Sequence, residues 1–120
     1  MAKKILVIDD DLVGIALMQS RLSKAGYDVV VARNGQVGFE RLLKEKPSLV
    51  VLDIEMPEMN GYTFIVEMKK DAGASATPVI VLTAHEENRA IFARRGIVNY
   101  LVKPVNFDVL FAKITDLVGS

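Results

Sequence analysis

Cysteine and tryptophan are absent from this chain of 120 residues, and histidine occurs once. Without cysteine there is no disulfide scaffold, no thiolate zinc site and no thiol nucleophile. Long apolar runs are missing as well. After the basic start Met1-Ala2-Lys3-Lys4 comes only Ile5-Leu6-Val7-Ile8 before three aspartates. A signal peptide needs a longer apolar stretch and a membrane helix roughly 20 apolar residues, so the expected compartment is the cytoplasm. Excess charge of either sign is missing too: 15 basic and 15 acidic side chains sum to zero. That balance gives no global attraction to nucleic acid or to an anionic membrane. What is present is the composition of an ordinary globule, 51% hydrophobic and 25% charged, which argues against disorder. The length predicts one domain, residues 1–120.

Apolar residues gather in five short blocks, Ile5–Ile8, Val29–Ala32, Leu49–Leu52, Val79–Leu82 and Tyr100–Val102, each rich in β-branched residues. The first, third and fourth are continuous rather than alternating, as strands covered on both faces should be. Helical spacing fills the stretches between them. Leu17, Met18 and Leu22 form one stripe and Phe39, Leu42 and Leu43 a second, with Phe64, Ile65 and Met68 marking a third. Phe107, Leu110, Phe111, Ile114 and Leu117 form the clearest stripe. A further helix is expected from about Glu86 to Arg95, ending at Gly96. A five-fold alternation of strand and helix predicts an α/β fold, a parallel sheet with helices on both faces.

Ligands of such sheets bind beyond the carboxyl ends of the strands. The first strand leads into Asp9-Asp10-Asp11, the third into Asp53, the fourth into Thr83-Ala84 and the fifth into Lys103-Pro104. Each alone has a plain explanation: Asp11 as a helix N-cap, Thr83 as a strand-end residue, Lys103 as a surface lysine. Together they suggest more. Carboxylates meeting at one edge repel, and their pKa values rise unless a cation joins them. Oxygen-only ligation with retained waters suits Mg²⁺. A lysine and a hydroxyl facing that cation complete a cradle for a phosphoryl group, and the pattern reads as phosphoryl transfer.

The segments VIDDD (7–11), LDIEMPEMNG (52–61), VLTA (81–84) and YLVKP (100–104) resemble the receiver domain of two-component response regulators, in the expected order and spacing over essentially the whole chain. The resemblance implies a flavodoxin-like (βα)5 fold, a doubly wound five-stranded parallel sheet of strand order 2-1-3-4-5. It implies Asp53 as the phosphoacceptor, attacking a phosphohistidine to give an acyl phosphate. Asp10 would ligate Mg²⁺ directly and Asp9 through water, with Asp53 and the backbone carbonyl of Glu55 completing the set; Mn²⁺ is a possible substitute. Lys103 would pair with the phosphoryl group and Thr83 hydrogen-bond it, while a cis Lys103-Pro104 bond aims the lysine inward. Thr83 and Tyr100 would form the switch, Tyr100 turning inward when Thr83 moves toward the phosphoryl group. Glu55 and His85 occupy the positions that bear on phosphoryl lifetime. Pro57 and Gly61 shape the loop after the third strand, and Met56 and Met59 read as packing residues of it.

The implied partners are a sensor histidine kinase or phosphotransfer protein and a downstream effector or attached output domain, with the fourth helix, fifth strand and fifth helix as the output face. That face carries Arg89, Arg94 and Arg95. Asn99, and the absence of arginine after Arg95, argue against the dimerisation mode of receivers joined to winged-helix domains. Such a switch acts on itself and turns over no external metabolite, so it is no enzyme in the ordinary sense. The alternative is a small phosphatase or phosphotransferase using an aspartyl phosphate. Asp53-Ile54-Glu55 loosely matches a DxD nucleophile motif but has glutamate where the second aspartate belongs. Flavin binding is disfavoured by acids that repel an anionic phosphate, and dinucleotide binding by the lack of a glycine-rich turn after the first strand.

Overall fold

The structure is a computed structural model that describes residues 2–54, 61–94, 96, 97 and 99–119. The aliphatic blocks extend as five strands: β1 (Lys4–Ile8), β2 (Asp28–Ala32), β3 (Leu49–Asp53), β4 (Val79–Thr83) and β5 (Asn99–Val102). The helices are α1 (Leu12–Lys24), α2 (Gly35–Glu45), α3 (Gly61–Lys70), α4 (Arg89–Ala93) and α5 (Phe107–Val118), with a 3-10 turn over Glu86–Asn88 leading into α4. All strand pairs are parallel, in the order β2-β1-β3-β4-β5 of the flavodoxin-like fold.

Successive side chains of a strand leave opposite faces of a sheet, and this divides the core in two. Ile5, Val7, Val51 and Ile80 meet Met18 and Leu22 of α1 and Leu110 and Ile114 of α5. Leu6, Ile8, Val50 and Leu52 meet Leu42 of α2, Phe64 and Met68 of α3 and Phe92 of α4. β3 and β4 are buried along their whole length, as their unbroken apolar runs require. Removing one of the large side chains, Phe64 for example, would cost about 3–5 kcal/mol.

Among the described residues, three helices begin on side-chain caps. The Asp11 carboxylate accepts from the Val13 amide (3.2 Å), Asn34 from Val37 (2.8 Å) and Asn106 from Val109 (3.2 Å). Each cap ends a strand-to-helix connection, so it also holds the carboxyl edge of the sheet.

Some expectations shift. In α1 the core stripe is Ile15, Met18 and Leu22, and Leu17 is exposed; in α2 Leu43 turns outward. Leu17 and Leu43 each directly neighbour a buried residue, Met18 and Leu42, and one helical step of about 100° moves a side chain off the buried face. The fourth helix is shorter than expected: it opens as a 3-10 turn and its regular part ends at Ala93, with Gly96 at φ 80° beyond it. Asp53 and Thr83 belong to β3 and β4 rather than following them, because the ladder continues through Asp53 beside Leu82 and Thr83 beside Val102. Arg95 and residues 55–60, including Glu55, Met56, Pro57 and Met59, lie outside the described residues. Gly61 opens α3 against Ile54, where an added Cβ would sit 2.6 Å from the Ile54 Cα. Only glycine permits that approach.

Candidate functional site

Strand register brings the polar residues together. Ile8 lies beside Leu52, so Asp9 falls one step past β1, next to Asp53 at the end of β3. Asp53 is 3% exposed and Thr83 fully buried. Lys103 follows β5; its amide donates to the Thr83 carbonyl (2.7 Å), and the peptide it forms with Pro104 is cis, as expected. From there its ammonium reaches across to Asp53, with Nζ 3.0 Å from Oδ2. One carboxylate oxygen each from Asp9, Asp10 and Asp53 lie within 4.8 Å of one another.

Local backbone sets the Asp9 carboxylate. The Asp11 amide donates to its Oδ1 at 3.0 Å, and α1 passes so close that a Cβ on Gly14 would stand 2.9 Å from its Oδ2. Burial pushes the Asp9 carboxyl up to about 6; the Asp11 amide opposes this, while the hydrogen bond and charge of Asp53 add to it and Lys103 pulls it down. The expected rise is therefore present, but desolvation exceeds repulsion as its cause. Three hard oxygens at this separation suit a small divalent cation. Oxygens on one Mg²⁺ octahedron are at most about 4 Å apart, so the trio accommodates direct ligands plus one reached through water. The Glu55 carbonyl expected among the ligands lies outside the described residues. A groove of about 300 Å³ opens beside the trio, lined by Asp9, Gly14, Leu17, Lys103, Pro104 and Phe107.

Across β4 the polar groups continue. The Thr83 hydroxyl oxygen accepts from the His85 amide (3.0 Å), and the Tyr100 hydroxyl donates to the His85 carbonyl. Tyr100 stands inward, 7% exposed, and burial raises its phenol pKa first, with the Glu86 charge adding. The His85 ring is at the surface, Nδ1 3.4 Å from a Glu87 oxygen. The Thr83 and Tyr100 side chains hydrogen-bond each other directly, which lowers the phenol pKa against the effect of burial. The His85 backbone bonds both Thr83 and Tyr100. That role, and the close approach of Gly14 to Asp9, had no mark in the residue types. The Asp9–Asp11 hydrogen bond was foreshadowed only by the aspartate run.

Residues 5–115 match the family model for the response regulator receiver domain. The chain belongs to the receiver family. It is 36% identical over 119 residues to protein PilH of Pseudomonas aeruginosa, covering 98% of each. It is 38% identical over 117 residues to the probable transcriptional regulator ycf27 of Cyanophora paradoxa, covering 96% of this receiver but 48% of that protein. The structure superposes on the response regulator TrrA of Thermotoga maritima in complex with Mg(2+)-BeF, at TM-score 0.86 and 33% identity over 96% of this chain and 98% of that one. The receiver is thus a phosphoacceptor signalling switch of a two-component system, and the phosphatase alternative is not favoured. Among the described residues no helix is long and apolar enough to cross a membrane.

Proposed function

We propose that Asp53 is the phosphoacceptor, and the reading is carried by one observation: a nearly fully buried carboxylate held 3.0 Å from a lysine ammonium inside a trio of acids. A carboxylate oxygen of Asp53 attacks the phosphorus of a phosphohistidine on a kinase or phosphotransfer protein. The P–O bond forms, the P–N bond breaks, and its electron pair leaves with the imidazole. Asp10, Asp53 and the Glu55 carbonyl would hold Mg²⁺ directly and Asp9 through water; the same oxygens suit Mn²⁺. When bound, the cation supplies neutralisation of the charge on the phosphoryl oxygens. Lys103 leaves the bare carboxylate for a phosphoryl oxygen, and the Thr83 hydroxyl turns to donate a hydrogen bond to another. Exposed Leu17 lines the groove together with Val105 and Phe107, which offers the donor protein an apolar landing beside the acid.

Phosphorylation adds close to two negative charges. Thr83 and Tyr100 answer it and α4, β5 and α5 present the result to an effector in the cytoplasm, or to an output domain where the receiver is part of a longer protein like ycf27. The acyl phosphate is made and hydrolysed by the domain on itself, with Glu55 and His85 tuning its lifetime. A dephosphorylation rate unchanged in His85→Ala would remove His85 from that role. The central test is incubation with acetyl phosphate and Mg²⁺ followed by intact mass measurement. One phosphoryl group is gained by the native chain and none by Asp53→Asn. Folded native protein that gains nothing at saturating Mg²⁺ sinks the reading.

A further inference from the structure

Tyr100 is held from two sides. On the inner side its ring packs on Phe92 at 6.5 Å between centroids, and Phe92 meets Tyr62 edge-on at 6.0 Å. The hydroxyl bonds the His85 carbonyl. On the outer side stands Arg89, the first residue of α4. Its guanidinium carbon lies over the Tyr100 ring, 5.2 Å from the centroid, and Nη2 lies 2.8 Å from the Glu86 carboxylate one turn earlier. Glu86 and Arg89 are both well exposed, so the ion pair itself adds little stability. Its effect is positional: it restrains a long, mobile side chain to one place over the aromatic face. A ring that turned outward would leave both the cation and the Phe92 contact.

We propose that Arg89, anchored by Glu86, is a positioning residue that latches Tyr100 in its inward conformer and so sets how far the unphosphorylated domain already leans toward the signalling state. The inference rests on the reading of Thr83 and Tyr100 as the switch, and adds the residue that biases it. Arg89 touches none of the reacting groups. A cation over an aromatic face at an exposed site changes such an equilibrium about two- to fivefold.

The test uses the full chain labelled with 3-fluorotyrosine and followed by ¹⁹F NMR. Three tyrosines give three signals, and Tyr100 is the one lost in Tyr100→Phe. Arg89→Ala should move the Tyr100 signal toward its solvent-exposed position, with the inward-to-outward ratio falling about two- to fivefold. Arg89→Lys, which keeps a cation, should recover part of the loss, and Glu86→Gln should fall between native and Arg89→Ala. Tyr27, whose hydroxyl bonds the Gly119 carbonyl far from α4, is the control for an intact fold. A Tyr100 signal unmoved by Arg89→Ala overturns the latch, as does a Tyr27 signal that moves with it, which would make Arg89 a general structural residue. Beryllofluoride with Mg²⁺ should return the Tyr100 signal of Arg89→Ala to the inward position. If it does not, while Arg89 still governs that signal, the latch stands and the switch reading fails instead.

Discussion

The two halves of the sheet's carboxyl edge are built by different means. Beneath Asp9, Asp10 and Asp53 the geometry is stiff: a strand register, an Asp11 amide and the close pass of α1 at Gly14 fix carboxylates whose mutual charge is unfavourable. Beneath Thr83 and Tyr100 the electrostatic load is small and the geometry can move. A buried hydroxyl and an aromatic ring are tied by hydrogen bonds to one residue's backbone and covered by an exposed cation. On the proposed reading, the contrast separates a region that holds charge from one that reports it. Lys103 belongs to both, since its amide bonds the Thr83 carbonyl while its ammonium pairs with Asp53.

Cutting that link has the largest expected effect. Lys103→Met leaves the buried Asp53 carboxylate without its cation, and at neutral pH without Mg²⁺ should lower stability by about 2 kcal/mol in urea unfolding. Mg²⁺ should restore more stability to the variant than it adds to the native chain, because the metal takes over the lysine's countercharge. A variant more stable than native would show that desolvating the lysine outweighs its attraction to the acid.

Asp9→Asn should act in the opposite direction. A folded-state pKa of about 6 against an ordinary 3.8 means that folding takes up a proton at Asp9. The stability this contributes is complete below pH 3.8 and lost as pH rises through about 6. Asparagine removes the penalty, so the metal-free variant should exceed native by about 1–2 kcal/mol at pH 7, and the gap should close below pH 4. Unfolding curves in EDTA across that range decide it; a gap independent of pH would mean that charge at Asp9 is not the cause. Mg²⁺ should bind the variant more weakly.

On the other half, Tyr100→Phe loses the bonds of its hydroxyl to the His85 carbonyl and the Thr83 side chain and should cost about 1 kcal/mol. Its Mg²⁺ affinity should equal that of the native chain. A changed affinity would show the two halves coupled without any phosphoryl group, and would break the comparison.

How much of this was legible in the residues follows the same division. The strands and the acid trio were legible because apolar runs and strand-end carboxylates are direct marks of residue type. The cap at Asp11 was legible by a local rule as well; Asn34 and Asn106 obey the same rule but were found only in the structure. Leu17 was misplaced because neighbouring residues of α1 differ by about 100° in direction, and a stripe drawn from Leu17 and Met18 is one step off from Ile15, Met18 and Leu22. His85 drew attention for its ring, whereas its amide and carbonyl make the contacts with Thr83 and Tyr100, and every residue type has those. Arg89 over Tyr100 joins positions eleven apart at the start of α4 and on β5, a proximity that no periodicity encodes.

Gly14 is the finest test of the stiff half. Within a helix, alanine is favoured over glycine by about 1 kcal/mol, so Gly14→Ala should stabilise α1 if nothing stood in the way. The new Cβ would meet Asp9 Oδ2 at 2.9 Å, and that carboxylate must swing aside against the Asp11 amide that holds it. The two effects oppose each other, leaving unfolding free energy within about 0.5 kcal/mol of native. Mg²⁺ affinity has no such offset if the displaced oxygen belongs to the proposed metal trio; it should then fall about threefold, roughly 0.7 kcal/mol. Calorimetric titration of the folded variant reads this directly. A raised melting temperature with native Mg²⁺ affinity would mean that the trio tolerates movement at Asp9, and that the stiffness assigned to this half resides in Asp10 and Asp53 alone.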